Sequence, residues 1–246
     1  MGRVSLRPIL SLFRCAALPF LLCALPFGCR EDNQSVAPPG QPTVRFTFGR
    51  GDHAVYNNWN LDEDGYSIFS SRFRNSWTVV DTAGQFFGRS PVTIVLDSVF
   101  VGTTASPDSV AGVDSLFFYM SPEGDVYQRG FLSTLLKRRE GIGLTPQWDL
   151  IAAFSQDASS SWVVGYADRA VPVYASIGGS REFVAADVNG VQTVLLSYRI
   201  EIGGPDFDAA LWLIDSPPAV FRWRDESSGA VSGMMKELTT LRSKTQ

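Results

Sequence analysis

Period-two alternation of apolar and polar side chains recurs along this chain and constrains its fold more than any other feature. The segment TVRFTF (43–48) places a valine and two phenylalanines on one face and polar residues on the other. The segments LSYRIEI (196–202) and FRWRDE (221–226) repeat the pattern. Because such alternation is typical of strands with one solvated face, it predicts antiparallel sheets.

Further predicted strands are separated by turn signals. They are YSIFSSRF (66–73), SWTVVD (76–81), PVTIVLDSVFVG (91–102), SLFFYM (115–120), DVYQRG (125–130), WDLIAAF (148–154), SWVVGYA (161–167), VPVYASI (171–177), REFVAAD (181–187), AALWLI (209–214) and VSGMMKELT (231–239). The turn signals are DEDG (62–65), TAG (82–84), SPEG (121–124), DVNG (187–190), GGPD (203–206) and ESSG (226–229). Asn189 and Gly190 give the strongest hairpin signal, because both tolerate positive φ.

The sequence therefore predicts an all-β fold. We expect a single antiparallel domain with about a dozen strands, in which a strongly curved sheet forms an incomplete β-barrel or a β-sandwich. At most one or two short helices are expected, and FLSTLLKRRE (131–140) alone has helical spacing. Since the cysteines are Cys15, Cys23 and Cys29, the folded part has neither disulfides nor thiolate metal sites, and burial of its aromatic residues must stabilise it.

Residues 1–28 have the pattern of an export signal. Arg3, Arg7 and Arg14 precede the uncharged run Cys15–Gly28. A membrane-spanning helix needs roughly 20 apolar residues, whereas the apolar part of an export signal needs about 7 to 15. The sequence therefore favours a signal peptide over a membrane span.

The end of this signal, LPFGC (25–29), resembles the lipobox of bacterial lipoproteins, which implies cleavage before Cys29 and acylation of its thiol. Pro26 and Phe27 stand where that family prefers leucine and a small residue. The alternatives are an ordinary signal cut elsewhere and an uncleaved anchor. The lipoprotein interpretation predicts that acyl chains on Cys29 attach the protein to a membrane.

A flexible linker is predicted over residues 29–42, ahead of the β domain at 43–246. The linker is polar and then rich in proline and glycine, so little in it can order a backbone. Removal of residues 1–28 would take away three arginines and no acid, which lowers the net charge from −4 to −7. Because nucleic-acid binding requires clustered cationic residues to displace counterions, nucleic acid is not an expected partner. The expected location is the exported side of a bacterial membrane.

Motifs for catalysis are weak in this chain. His53 is the one histidine and lies at a turn-like start of a strand, and no G-x-S-x-G motif is present. Histidine-based zinc sites lack ligands, and GIGLTP (141–146) lacks the third glycine of a phosphate loop. RGD (50–52) is interpreted as a turn. The sequence favours a non-enzymatic protein without a cofactor, although two carboxylates could still meet in the fold as a hydrolase pair.

One acidic segment has part of a calcium-loop pattern. Asn60, Asp62 and Asp64 occupy the first, third and fifth positions of such a loop, and Gly65 the sixth. Ser71 stands at the twelfth position, where a glutamate normally closes the coordination shell. We therefore favour a turn in which Asp62 and Asp64 bond local backbone amides.

The six tryptophans are expected mostly in the core, with one or two exposed enough to bind a ligand. They are Trp59, Trp77, Trp148, Trp162, Trp212 and Trp223. KRRE (137–140) could attract anionic lipid headgroups but is more typical of a solvated face.

The chain resembles uncharacterised bacterial lipoproteins in four features. They are GDVYQRG (124–130), Trp148, Trp162 and the late segment LWLIDSPPAVFRWRDESSGAVSGMMKELT (211–239). That group is similar to the Lol-type lipoprotein carrier and receptor superfamily, which implies a curved sheet over an apolar cavity. The leading hypothesis is therefore an extracytoplasmic, lipid-anchored β domain that binds an apolar or amphiphilic ligand. The alternatives are an adhesive or structural envelope module that binds protein or glycan through an exposed sheet face, and a carboxylate-dependent hydrolase.

Overall fold

The computed structural model describes residues 47–101, 109–136, 145–156, 160–167, 171–185, 188–200, 207–213, 220–225 and 232–242. All of these residues belong to one compact unit, Pro38–Gln246. Several predicted features lie outside the described residues: the signal peptide 1–28, Cys29, the linker to residue 42, KRRE (137–140), most of GIGLTP (141–146), and the turns at 203–206 and 226–229.

Most of the described chain is β-strand. The strands are β1 (His53–Asn60), β2 (Phe73–Phe86), β3 (Arg89–Val101), β4 (Ser109–Met120), β5 (Val126–Arg129), β6 (Trp148–Ala152), β7 (Ser161–Ala167), β8 (Val171–Ala185), β9 (Val188–Ile200), β10 (Phe207–Leu213), β11 (Val220–Asp225) and β12 (Ser232–Arg242). The described part also contains one short α-helix, α1 (Phe131–Leu136), and a 3-10 turn at Phe69–Ser71. The prediction of an all-β fold with few short helices is confirmed.

The described strands form one antiparallel sheet in the order β6-β5-β4-β3-β2-β1-β12-β11-β10-β9-β8-β7. Each half of the chain is a meander, and pairing of β1 with β12 joins the halves, with Tyr56 opposite Leu238. The sheet is strongly curved into a half-barrel. This confirms the curved-sheet form of the prediction.

The core occupies the concave face of this sheet. Strand residues that alternate along the chain, such as Ala54 and Tyr56 on β1, point into it. Helix α1 adds four buried side chains, and the Phe131 ring lies 5.2 Å from that of Tyr198 on β9. The helix contacts both β6 and β7. It therefore fills the space at which the two end strands of the sheet meet.

The end strands β6 and β7 contact each other, and side chains hydrogen bond to the backbone of β6. The Trp162 indole N–H donates to the Leu150 carbonyl at 2.9 Å, and the Tyr198 hydroxyl donates to the Ile151 carbonyl at 2.7 Å. A sheet edge normally exposes unpaired carbonyls that can pair with another chain. These two bonds tie core side chains of β7 and β9 to the backbone of the end strand β6.

The prediction of a strand at 66–73 is wrong. The segment contains the 3-10 turn Phe69–Ser71, and its Tyr66 and Phe69 side chains are exposed. Ser71 explains the difference, because its hydroxyl donates to the Ile68 carbonyl and accepts from the Asn60 N–H. Such local bonds compete with a strand ladder. Of the strand predicted at 43–48, the described residues Thr47 and Phe48 are not in a strand.

Two predicted turns lie elsewhere. TAG (82–84) belongs to β2, where Gly84 pairs with Val92 within an irregular stretch of the ladder, and the chain reverses at Phe87 and Gly88. The hairpin predicted at DVNG exists between β8 and β9, but Ala185 pairs with Val188. Asn189 and Gly190 therefore lie inside β9 rather than at the reversal.

Candidate functional site

A cluster of aromatic rings lies on the convex face of the sheet, opposite the core. Phe118 of β4 points into the core, so its neighbours Phe117 and Tyr119 point outward. The outer aromatic patch, as we call this cluster, consists of Phe86, Phe87, Phe117, Tyr119, Tyr127 and Trp148, with the guanidinium groups of Arg89 and Arg129. Its members come from β2 to β6 and the turn between β2 and β3.

The rings form two groups of three, joined by the Trp148 hydrogen bond to the Phe87 backbone, rather than scattered exposed residues. Phe117 lies 5.5 Å from Phe86 and 5.2 Å from Phe87, measured between ring centroids. Tyr119 lies 5.8 Å from Tyr127 and 6.3 Å from Trp148. Because these separations fall in the range of favourable ring contacts, each ring limits the motion of its neighbours.

Two arginines stack on the patch. The Arg129 guanidinium carbon lies 3.8 Å from the Phe87 ring centroid, and that of Arg89 lies 4.8 Å from Tyr119 and 5.4 Å from Tyr127. A stacked guanidinium is attracted to the ring face and keeps its N–H groups in its own plane. The patch therefore combines apolar area with donors suited to carboxylates.

Phe87 has an unusual backbone conformation. Its φ is +50°, and among the described residues it is the non-glycine residue with positive φ. It shares the reversal between β2 and β3 with Gly88, whose φ is +77°. Tight turns of this kind prefer Asn-Gly or Asp-Gly, because a bulky residue in this region is strained. Phe87 is nevertheless 52% exposed.

The surrounding residues hold Phe87 in place. The Trp148 indole N–H donates to the Phe87 carbonyl at 3.1 Å, across 61 positions of sequence. A β-carbon on Gly84 would lie 2.7 Å from the Phe86 ring, so glycine allows that ring to lie against the strand. Val92, which pairs with Tyr119, is fully buried on this outer face. The patch is thus packed over a side chain that is itself fully buried.

The concave face, in contrast, is occupied by the chain's own side chains. The Lys236 ammonium lies 4.4 Å from the Tyr56 ring centroid and 4.3 Å from that of Trp77, and 3.7 Å from the Asp97 carboxylate. Burial lowers the pKa of Lys236 to about 8, although Asp97 opposes this effect.

The polar groups around this lysine are linked. The Asn75 side-chain amide donates to Asp97 at 2.5 Å and accepts from the Asn58 amide at 2.8 Å. The Tyr56 hydroxyl and the Trp77 indole N–H are buried without a hydrogen-bond partner. In this part of the half-barrel, a ligand would have to displace a packed and charged network.

A small pocket opens near one end of β3 and β4. It has a volume of about 210 Å³ and is lined by Thr47, Phe48, Thr82, Pro91, Thr93, Phe118, Tyr119, Met120 and Val126. Pockets for small molecules usually measure about 300 to 1,000 Å³. The pocket can therefore hold only a small apolar group.

The segment with a partial calcium pattern forms a turn. One Asp62 carboxylate oxygen accepts the backbone N–H of Asp64 at 3.1 Å and that of Tyr66 at 2.7 Å. The backbone N–H of Asn60 donates to the Ser71 hydroxyl, and Gly65 has a φ of +82°. Within the described residues, no three His, Cys, Asp or Glu side chains cluster as a metal site would require.

His53 lies at the start of β1, and its Nδ1 is 2.9 Å from the Thr78 hydroxyl. Burial and the Arg242 guanidinium lower its pKa below the ordinary value. The adjacent RGD segment is a turn, as predicted, because the Asp52 N–H donates to the Gly49 carbonyl and the Asp52 carboxylate accepts the Gly49 N–H.

The tryptophans divide between the two faces. Trp77 and Trp162 are buried in the core, and Trp148 belongs to the outer aromatic patch. Trp59 is half-buried, with an indole N–H that lacks a partner. Trp212 and Trp223 lie on β10 and β11.

The two buried carboxylates of the described residues both bind backbone amides. Asp52 holds the Gly49 turn, and Asp149 accepts the Leu132 N–H of α1 at 2.9 Å. Burial raises the pKa of Asp149 to about 6, and the bond from Leu132 opposes that effect. These local roles favour a structural rather than a catalytic interpretation of both groups.

Sequence reasoning misses most of the outer aromatic patch. Trp148 is among the six tryptophans considered, and Tyr127 and Arg129 lie within the predicted strand DVYQRG, but no sequence pattern marks Phe87, Arg89 or Arg129 as binding residues. The one available signal is FFGR (86–89), where a phenylalanine precedes a glycine between two strand-like segments.

No protein-family model matches this chain, and a search of curated proteins finds no similar sequence. None of the helices in the described ranges has the length and apolar character needed to cross a membrane.

Proposed function

We propose that this protein is a non-enzymatic binding module, attached by acyl chains on Cys29 to the exported side of a bacterial membrane, that binds another protein through the outer aromatic patch. The observation that carries the binding role is Phe87, a half-exposed phenylalanine kept at a turn position that disfavours it. Strained residues cluster at functional sites, because selection retains them despite their cost to folding.

The composition of the patch favours a protein partner. Tyrosine, tryptophan, phenylalanine and arginine are enriched at the centres of protein interfaces, and a few such residues supply most of the binding free energy. The stacking of Arg129 on Phe87 and the bond from Trp148 preorganise the surface, which lowers the entropy lost on association. The two guanidinium groups predict that the partner presents carboxylates between apolar side chains.

The substitution Phe87→Asn tests this role without damage to the fold. It creates the Asn-Gly pair that such turns prefer, so stability should be retained or increased. It also removes the Phe87 ring and the support for Arg129. We expect partner binding to weaken at least tenfold, because loss of a central aromatic residue typically costs about 2 kcal/mol or more.

Site-specific photo-crosslinking measures this binding in cells of the source organism. The full chain carries p-benzoylphenylalanine in place of Phe86, with and without Phe87→Asn. One protein adduct is expected at residue 86, and its yield should fall at least tenfold in the variant. The matched control places the crosslinker at Phe69, which is 80% exposed and outside the patch. An adduct of unchanged yield in the variant, or of lipid or glycan by mass, would contradict the proposal.

The membrane attachment has a separate test. Intact-mass analysis of native material should show a chain that begins at Cys29 and carries acyl groups, and Cys29→Ser should release the protein from the membrane fraction. The variant Cys23→Ser, within the predicted signal, is the control and should leave attachment unchanged. A mature chain that retains residues 1–28 would contradict the lipoprotein assignment.

A second candidate is binding of an apolar group in the end pocket, and the pocket lined by Phe48, Phe118 and Met120 is the observation that favours it. Its volume of about 210 Å³ limits the occupant to a small group or one end of a longer chain. The patch joins six aromatic side chains and two arginines, whereas the pocket admits one small group, so protein binding is the function that the geometry supports best.

A further inference from the structure

A second polar site lies on the convex face, along β1. The side chains of Arg72, just before β2, of Arg74 on β2 and of Arg242 on β12 flank the shorter outward residues of β1. Together they form a cleft of about 490 Å³. The arginine cleft, as we call it, is lined by His53, Val55, Asn57, Arg72, Arg74, Thr239, Thr240 and Arg242. It is distinct from the outer aromatic patch, because no residue belongs to both.

The charge of the cleft contrasts with that of the chain. Acidic residues outnumber basic ones overall, 25 to 21, yet the lining residues include three arginines and no acid. Like charges on neighbouring strands destabilise a sheet. Glu237 is the acidic residue of β12 at one end of the cleft, where it pairs with Asn57. Glu237 is not among the residues that line the cleft. Such clustering is explained if the site binds an anion.

The cleft has a cationic group at each end. His53 pairs with Arg242 in the register of β1 and β12, and Asn57 pairs with Arg74 in that of β1 and β2. Asn57 lies four positions after His53 along the strand, which corresponds to roughly 13 Å. Cationic side chains therefore lie on both sides of Val55 along the cleft. A ligand with several negative charges therefore fits better than one with a single charge.

Arg72 is already positioned. Its Nε and Nη2 groups both donate to the Asn57 side-chain oxygen, at 3.2 and 2.9 Å. This bidentate contact fixes the plane of the guanidinium and leaves its remaining N–H groups for another acceptor. Planar guanidinium groups match phosphate oxygens in geometry, and a terminal phosphate group carries about −1.5 to −2 charge at neutral pH.

We propose that the arginine cleft binds a soluble ligand that carries two or more linked phosphate groups. The concave shape suits a small molecule, and the volume lies within the range of small-molecule sites. This inference is independent of the proposed protein-binding role, since it rests on different residues and a different ligand class.

The single histidine makes the site directly measurable. Because His53 is the only histidine of the chain, one imidazole signal in the proton NMR spectrum of the full-length protein reports its titration. Burial and Arg242 lower the pKa of His53, and Thr78 contacts its ring. A bound polyanion opposes the arginine charge, so inorganic pyrophosphate should raise the pKa of His53 by about 0.5 to 1, saturably. The ionic strength is held constant with sodium chloride, because screening alone would also reduce the effect of Arg242.

Two variants and one control separate binding from other causes. Arg72→Gln, at the far end of the cleft, should reduce the pyrophosphate response at least fivefold while the pKa of His53 without ligand stays unchanged. Arg242→Gln should raise the pKa of His53 without ligand and also reduce the response. Arg199→Gln, an exposed arginine on β9, should respond like the wild type.

The pyrophosphate titration of His53 can support or overturn the proposal. A saturable response that requires Arg72 and Arg242 supports the proposal. A linear response, or an equal response in Arg72→Gln, would overturn it. Vesicles of anionic phospholipid supply phosphate in a membrane surface, so a pKa change with vesicles and none with pyrophosphate would also overturn it. Crosslinking at Phe86 remains a separate measurement, so failure of one proposal leaves the other intact.

Discussion

The unfolding free energy of Asp149→Asn, relative to that of the wild type, should increase by about 3 kcal/mol between pH 3.5 and pH 7.5. Asp149 lies at 1% exposure between α1 and the two end strands, and burial raises its pKa to about 6 from an ordinary value of 3.8. Each increase of one in the pKa of a group on folding corresponds to about 1.36 kcal/mol of unfolding free energy between its protonated and ionised forms. The carboxylate is therefore harder to ionise in the folded protein than in the unfolded chain.

The direction in which stability changes with pH follows from proton binding. Between about pH 4 and pH 6 the folded state holds a proton on Asp149 that the unfolded state has released, so wild-type stability falls as the pH rises. The contribution is fully present below pH 4 and is lost above pH 6. Asparagine cannot ionise, and its side-chain oxygen can still accept the Leu132 N–H. Only the wild type should therefore lose this contribution.

Urea denaturation at a series of pH values measures the effect. The relevant quantity is the change with pH in the difference between variant and wild type, in which the titration of other carboxylates cancels. Asp64→Asn is the matched control, because Asp64 is exposed in a turn and its replacement should give a constant difference. A constant difference for Asp149→Asn as well would show that this carboxylate is accessible to water in the folded protein.

Most strands could be predicted from sequence, because period-two alternation is a property of each segment by itself. PVTIVLDSVFVG and SWVVGYA correspond to β3 and β7 without reference to other strands. YSIFSSRF failed because the Ser71 hydroxyl bonds the local backbone, which no apolar pattern reveals. The reversal at Phe87 and Gly88 was missed because phenylalanine is not a turn former, and its conformation depends on Trp148, 61 positions away.

The candidate sites were less predictable, since both depend on which strands become neighbours. The outer aromatic patch joins residues from Phe86 to Trp148, and the arginine cleft joins His53, Arg72 and Arg242. Pairing of β1 with β12 brings His53 and Arg242 together across most of the chain. Asp62 and Asp64 show the opposite case, because their interactions are local and Asp62 forms the turn that the residue pattern favours.

The contact between α1 and the end strands leads to the largest expected loss of stability. Leu132→Ala should lower the free energy of unfolding by about 2 to 5 kcal/mol, because Leu132 is 1% exposed and its removal leaves a cavity in the core. Thr134→Ala, at an exposed position of the same helix, should change it by less than about 0.5 kcal/mol. Equal effects of these two substitutions in urea denaturation would show that the helix does not pack against β6 and β7.

A double-mutant cycle with Gly165 tests the same packing from the other side. A β-carbon on Gly165 of β7 would lie 2.8 Å from the Leu132 Cδ1 atom and 2.8 Å from an Asp149 oxygen, so Gly165→Ala alone should cost about 1 to 3 kcal/mol. Gly112→Ala on β4, where a β-carbon meets no atom within 4 Å, is the control. In the double variant the new methyl group occupies space vacated by Leu132, so the combined loss should be at least about 0.5 kcal/mol smaller than the sum of the single losses. Strict additivity would mean that Leu132 and Gly165 do not touch and that α1 does not pack against β7.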